Sequence, residues 1–327
     1  MAKKDTIWAV LEGRPTDRFV HPEDCVMVFT PGERNVGGDK QPDGTTIGLD
    51  WFGCSWTEPE HPSPIDGPTI TPGTQRLDDL ADFAQAVPTP EQVRNFDWEG
   101  YAKEILAGVD RDEQMIQLRS MTGPFERMHC LIGFEDALCA FYEDPEVVED
   151  FFAAMLEYKK AVVDCAAQYI KPDIMIFDDD YGTARATFMS PDMWREFFPQ
   201  FWKPLVEYVH SKGMKFELHS CGYVTPLVGD FVELGMDILQ PVQTNNDLKA
   251  MKEQWGDKIV YRLAIFDKQF DRLGQSEDQV RADIRSYYEI LAPGGNFIPD
   301  LVPIEDRYYE IQGEVQQEFE AEFFHKR

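Results

Sequence analysis

Basic residues are scarce in this chain: 31 Lys and Arg stand against 60 Asp and Glu, a formal charge of -29 over 327 residues. A surface of that sign repels nucleic acid and anionic membranes over much of its area, so neither is expected as a partner. Long apolar runs are missing as well. No stretch approaches the roughly 20 residues of a membrane span. Met1-Ala2-Lys3-Lys4-Asp5-Thr6 has no apolar signal core, and a cytoplasmic protein is expected. The six cysteines, Cys25, Cys54, Cys130, Cys139, Cys165 and Cys221, lack framework spacing, which suits a reducing compartment. Neither an internal repeat nor a Gly-rich phosphate motif of the dinucleotide type is visible.

What is present is enough apolar material for a sizeable core, 43% hydrophobic and 13% aromatic, more than a disordered chain carries. The acid of residues 143–150 and 314–322 falls on expected helix faces and reads as solvated surface. Residues 4–13 read as a short helix ending at Gly13, and 25–29 as a first strand. From 30 to 90 the chain is dense in Gly, Pro and Asp, so ordered excursion loops are expected there. Beyond 90, helix and strand alternate. Helices are expected over 90–106, 133–141, 145–169, 191–212, 224–234, 247–255 and 276–291. Strands are expected at 114–119, around Leu131, and at 173–177, 214–219, 237–241, 258–265 and 296–299. With the first strand this makes about eight, and β-then-α alternation implies parallel pairing by right-handed crossovers. The fold class read from this is α/β, a distorted (β/α)8 TIM-type barrel. It is expected to form one domain over 1–327, with residues 1–110 supplying lid-like loops and 111–327 the regular units.

The densest chemistry lies in Phe216-Glu217-Leu218-His219-Ser220-Cys221-Gly222. Alternate side chains of a strand share a face, so Glu217, His219 and Cys221 point the same way. Same-face neighbours sit roughly 6 to 7 Å apart. His219 and Cys221 can therefore converge on one ion at about 2.0 to 2.3 Å from each. Bringing Glu217 into the same shell would need a bend. Gly222 ends the strand, which puts these residues at the C-terminal end, where parallel α/β proteins keep their chemistry. Asp300, just past the last strand, is a candidate third ligand because barrel strands converge at one rim. Glu217 competes with it, and the acids 178–180 could come near. His, Cys and a carboxylate together suit zinc, and an open fourth position marks a catalytic site.

Asp178-Asp179-Asp180 also ends an apolar strand. Three adjacent carboxylates raise at least one pKa, which can leave an acid or base poised near neutrality. Asp178, Asp180 and Tyr181 are the catalytic or substrate-contacting candidates. Gln243 and Asp267 stand just past strand ends and could hydrogen-bond a substrate. Trp51 and Phe52 could close over the mouth as an aromatic lid, or be loop residues pinned by burial of their rings. His129 and Cys130, in an apolar stretch, read as core.

Taken in order, several segments resemble the uroporphyrinogen decarboxylase-like superfamily, and within it the corrinoid-dependent methyltransferases. They are Leu11-Glu12-Gly13-Arg14-Pro15-Thr16-Asp17-Arg18, Phe177 to Thr183, Ser190 to Phe198, His219-Ser220-Cys221-Gly222, Gln240-Pro241-Val242-Gln243, and Leu291 to Pro299. The resemblance covers nearly the whole chain and implies a distorted (β/α)8 barrel. It also implies zinc on His219 and Cys221 and a corrinoid (cobalamin) carried by a partner protein. Two departures matter. No Cys follows Cys221 to serve as the family's second thiolate, which leaves Asp300 or Glu217 in its place. The Arg-Gln-Ala-Gly-Arg signature with which porphyrinogen decarboxylases hold substrate carboxylates is absent.

The function this implies is transfer of a methyl group from a small donor to the Co(I) of the corrinoid protein. A carboxylate in place of a thiolate makes zinc a stronger Lewis acid, which favours demethylation of an aryl methyl ether. The alternatives are a methyl-corrinoid:thiol methyltransferase, a uroporphyrinogen-type decarboxylase, and a barrel that has lost its metal site. A homodimer is compatible with all of them.

Overall fold

The computed structural model describes residues 3–34, 38–60, 67–265, 275–300 and 306–325. Seven parallel strands make a curled sheet. They are β1 (Cys25–Phe29), β6 (Met115–Ser120), β7 (Ile174–Asp178), β8 (Lys215–His219), β9 (Ile238–Val242), β10 (Val260–Ala264) and β11 (Phe297–Asp300), hydrogen-bonded in that order. Between the first two, β2 (Asp39–Lys40), β3 (Thr46–Leu49), β4 (Ser55–Glu58) and β5 (Thr69–Ile70) form a small antiparallel sheet. Among the described residues no ladder joins β11 to β1, so the barrel is distorted rather than evenly closed.

Strand periodicity sorts the side chains into two sets. Ile116, Leu118, Met175, Phe177, Phe216, Leu218, Leu239 and Leu263 face outward into the main core under the helices. Met115, Ile174, Ile176, Ile238, Val260 and Ile298 face inward, where the helix Lys3–Leu11 closes the lower end with Ile7 and Val10. Because both faces are buried, the strands read as nearly continuous apolar runs. The inward set turns polar as the strands rise toward their C-terminal ends: Gln117, Glu217 and Arg262, then Arg119, Asp178, His219 and Gln240.

The expected strand around Leu131 is instead part of a helix, Pro124–Ile132. Phe125, Met128, Leu131 and Ile132 are spaced for one helical face, and Pro124 stands at a favourable first-turn position. An apolar run this short satisfies either periodicity. The helix expected over 90–106 divides into Pro90–Arg94 and Trp98–Ile105, with Asp97 capping the second through Gly100 N. That over 191–212 divides before Pro199 into Pro191–Phe197 and Pro199–Ser211.

The excursion between β1 and β6 is more regular than loops. Asp50 organises it: Oδ1 accepts from the backbones of Phe52 and Cys54 at 2.9 Å each, and Oδ2 accepts from Trp56 Nε1 at 2.8 Å and Arg127 Nη1 at 2.5 Å. Arg127 is wholly buried, so this ion pair ties the small sheet to the helix that follows β6.

Candidate metal centre at the barrel mouth

β8 delivers His219 at its last position, and the chain then turns at Gly222 with φ +85°, a conformation that favours glycine. A Cβ at Gly222 would strike the backbone of Gly182, because the turns after β7 and β8 pack against one another. Tyr223 N donates to Thr183 O at 2.7 Å, and Gly222 N donates to Gln243 Oε1 at 2.8 Å. This close fit places Asp180 beside Cys221: Asp180 Oδ1 accepts from Cys221 N at 2.7 Å. His219 Nε2 stands 3.4 Å from Cys221 Sγ and 3.8 Å from Asp180 Oδ1. The donor atoms of these three residues lie within 4.8 Å of one another.

The donor set fits a zinc ion. Burial, then the nearby Arg119, lowers the His219 pKa despite Asp178 and Asp180, so the imidazole is neutral and available as a ligand. Burial, followed by the charges of Asp180 and Glu126, pushes the Cys221 thiol well up. A cation between them would reverse that and favour the thiolate. Arg119 Nη2 donates to His219 Nδ1 at 2.9 Å. An imidazole that ligates through Nε2 carries its proton on Nδ1. Arg119 would then give up that contact and keep Asp178, which it holds through Nε at 2.8 and 2.9 Å.

The third member of the group is thus Asp180, expected from sequence as a catalytic carboxylate. Glu217 and Asp300 are engaged elsewhere. Arg262 meets Glu217 Oε1 at 3.2 Å through Nη1 and Asp300 Oδ2 at 3.1 Å through Nε, while Gln117 Nε2 donates to Glu217 Oε2 at 3.3 Å. Glu217 lies two residues below His219 on the same strand face, one step deeper in the barrel, and Arg262 is its counter-ion. Asp300 is drawn to the other side of that cation.

The three acids after β7 have separate environments. Desolvation would raise the Asp178 pKa, but the Arg119 guanidinium holds it below the ordinary carboxylate range. Asp179 turns into the core, where it accepts from Glu126 N at 2.7 Å and Tyr181 OH at 2.6 Å. Burial pushes its pKa up to about 7 despite those hydrogen bonds. Tyr181 is wholly buried and its hydroxyl also accepts from Trp202 Nε1 at 2.6 Å. That places it in the core and away from the His219 group.

Gln243 is buried as the clamp on Gly222, leaving its amide nitrogen without a partner among the described residues. Asp267 lies outside the described residues. Phe52 is buried edge-on against Tyr158 at 4.9 Å and beneath Arg127, and Trp51 packs on Phe96 at 5.2 Å. Both rings are pinned in the excursion and belong to its packing.

Two mouth residues were not anticipated. Arg119 shares the inward parity of Gln117 at the end of β6, a charge at a strand end that could have been noticed. Glu126 sits in the first turn of the helix Pro124–Ile132. Its half-buried carboxyl is pushed well up by burial and by Asp180, Asp178 and Asp179.

Fold and site together define an α/β-barrel protein with a His-Cys-carboxylate group at the C-terminal ends of its strands. The chain belongs to the family described as Uroporphyrinogen decarboxylase (URO-D), whose model matches residues 61–266. It is similar in structure to a methyltransferase from Methanosarcina mazei, with a TM-score of 0.64 and 17% identity, covering 98% of this chain and 99% of that one. A D-psicose 3-epimerase solved with D-fructose is far more distant, with a TM-score of 0.37 and 8% identity over 72% of this chain and 87% of that one. No curated protein matches the chain significantly.

Proposed function

We propose that this protein is a methyltransferase that takes a methyl group from a small donor, an aryl methyl ether, and passes it to the Co(I) of a corrinoid carried by a partner protein. The observation that carries the reading is the convergence of Asp180, His219 and Cys221 at the mouth, with donor atoms within 4.8 Å of one another. Zinc held by these three residues would supply a Lewis acid to the ether oxygen, which improves a leaving group whose conjugate acid has a pKa of about 10.

The chain's own residues supply the rest. Glu126, whose carboxyl is pushed well up by burial, would give its proton to the departing aryl oxide oxygen, so that the phenol leaves neutral. Asp178, kept ionised by Arg119, holds that guanidinium through both carboxylate oxygens. Asp180 is oriented by Cys221 N. Likeness of the whole chain to a methyltransferase supports the reading, as does family membership. With one thiolate in the group, demethylation is favoured over binding a substrate thiol as nucleophile.

The test is twofold. Metal analysis of the purified protein is expected to give about one zinc per chain, lost in His219→Ala and Cys221→Ala variants that remain folded. Anaerobic mixing with a reduced corrinoid protein and methoxyaromatics, methylamines or methyl thioethers is expected to consume the Co(I) absorbance with a methoxyaromatic. Silence with every donor would overturn the reading, as would full activity without zinc.

A further inference from the structure

We propose that Met27 and Phe29, on the inward face of β1, form the apolar wall against which the ring of the donor packs, and that they select for an arene. The proposal rests on the site being a donor site, and it names the residues that choose the donor. In the register of the sheet, Met27 stands beside Gln117 and Phe29 beside Arg119. Residues side by side on neighbouring strands point to the same face, so both side chains turn into the barrel with Gln117 and Arg119. The residue between them agrees: Val28 packs with Leu118 in the core under the helices, whereas Cys25 packs with the inward set.

A barrel interior is ordinarily filled by layers of side chains. Gln117 and Glu217 obey that rule and are buried, but Met27 is 37% and Phe29 47% exposed. A lone exposed apolar side chain on the outside of a protein is ordinary. Two in succession turned into a barrel are not, and they mark a part of the layer left for an apolar body to fill. The opening lies where β1 has no strand on its other side, since among the described residues no ladder joins β11 to β1. The wall is held in place: Phe29 O accepts from Tyr101 OH at 2.7 Å, and Thr30 N donates to Arg119 O at 2.9 Å. It is also near the chemistry. Arg119, beside Phe29, reaches His219 Nδ1 at 2.9 Å. From β1 to β8 is three strand spacings, about 14 Å along the sheet and less across its curve. A ring lying on Phe29 would thus direct its methoxy group at Asp180, His219 and Cys221. Met27 stands two residues below Phe29, level with Gln117, a depth that a small ring reaches and the surface of a folded partner does not. Apolar walls with a few convergent polar groups are the usual make-up of a small-molecule site.

The experiment titrates the full chain calorimetrically with two uncharged arenes, 4-methoxyphenol and 1,2-dimethoxybenzene, and with 2-methoxyethanol, a methyl ether without a ring. At least one arene is expected to bind about tenfold or more tightly than 2-methoxyethanol. Phe29→Ala should weaken arene binding about tenfold and Met27→Ala about threefold, while Phe29→Leu, which keeps an apolar surface, should lose less. Tyr142→Ala, which removes an exposed ring from the helix Phe134–Glu143, should lose nothing. A wild type that binds neither arene, or binds them no better than 2-methoxyethanol, overturns the proposal. So does a preference that survives in the double variant Met27→Ala/Phe29→Ala, the result expected if a partner protein covers this face instead. The wild-type comparison stands even where a variant is poorly folded. Arene binding lost with Phe29, beside a silent corrinoid assay, would overturn the assigned reaction and leave the apolar wall standing.

Discussion

Arg262→Met tests the division between the upper group, which can take a metal, and the ion network beneath it. Glu217 is fully buried, and Arg262 is the cation facing it, with Gln117 and Asp300 completing the contacts. Removing the cation leaves Glu217 uncompensated in the barrel interior, which costs about 3 to 5 kcal/mol. For a chain of 327 residues the unfolding entropy is about 0.7 kcal/mol/K, so the midpoint should fall by about 4 to 7 °C. Because the cost lies in the stranded carboxylate, the double variant Arg262→Met/Glu217→Gln should recover half of it or more. Asp300 retains some solvent exposure and can be hydrated. Thermal unfolding followed by circular dichroism measures the loss, and zinc content is the internal control. Zinc should be unchanged in Glu217→Gln, since that side chain belongs to the Arg262 network. A loss below about 1 kcal/mol for Arg262→Met would refute the energetic reasoning. Zinc loss in Glu217→Gln would return Glu217 to the ligand set.

Three further outcomes are expected. Asp180→Ala should lower zinc content by metal analysis and leave the fold intact, whereas Asp300→Asn should not lower it. Tyr181→Phe removes the hydroxyl between Asp179 and Trp202, so it should cost about 1 to 3 kcal/mol in denaturant unfolding while zinc and methyl transfer persist. The third concerns the C-terminal helix Asp306–His325, docked by Glu320, which accepts from Phe19 N at 3.0 Å and meets His21 Nε2 at 3.1 Å. The hydrogen bond to Glu320 raises the His21 pKa above 6.5 against the effect of burial. That contribution is complete below about pH 6.5 and fades as pH climbs through the raised value. Burial would raise the Glu320 pKa, but His21 and Phe19 N hold it below 4.5, so its contribution is lost on acidification. Protection of this helix against hydrogen exchange, corrected for the intrinsic pH dependence of the rate, should therefore be greatest between about pH 4.5 and 6.5, and protection that is flat with pH would refute the latch.

Much of this protein could be read without its structure. Alternating helix and strand patterns, apolar runs ending in Asp178, His219 and Asp300, and the turn at Gly222 determine a parallel α/β barrel with chemistry at its C-terminal rim. His219 and Cys221 could be paired from their spacing at a strand end alone, because two residues separated by one other stay close whatever the rest of the fold does. Choosing the acid beside them required contacts between strands. Along the chain Asp300 and Glu217 stand as the candidate third ligands, with Asp180 read as a catalytic carboxylate. The packing of Gly182 on Gly222 brings Asp180 to Cys221, while Arg262, on another strand, pairs with the other two. The same holds for the crowded carboxyl of Glu126, whose character comes from neighbours distant in sequence. Local periodicity determined the elements and their polarity. Long-range electrostatics and close backbone approach, which act only once the barrel is formed, decided which charges neutralise one another and which are left for a ligand.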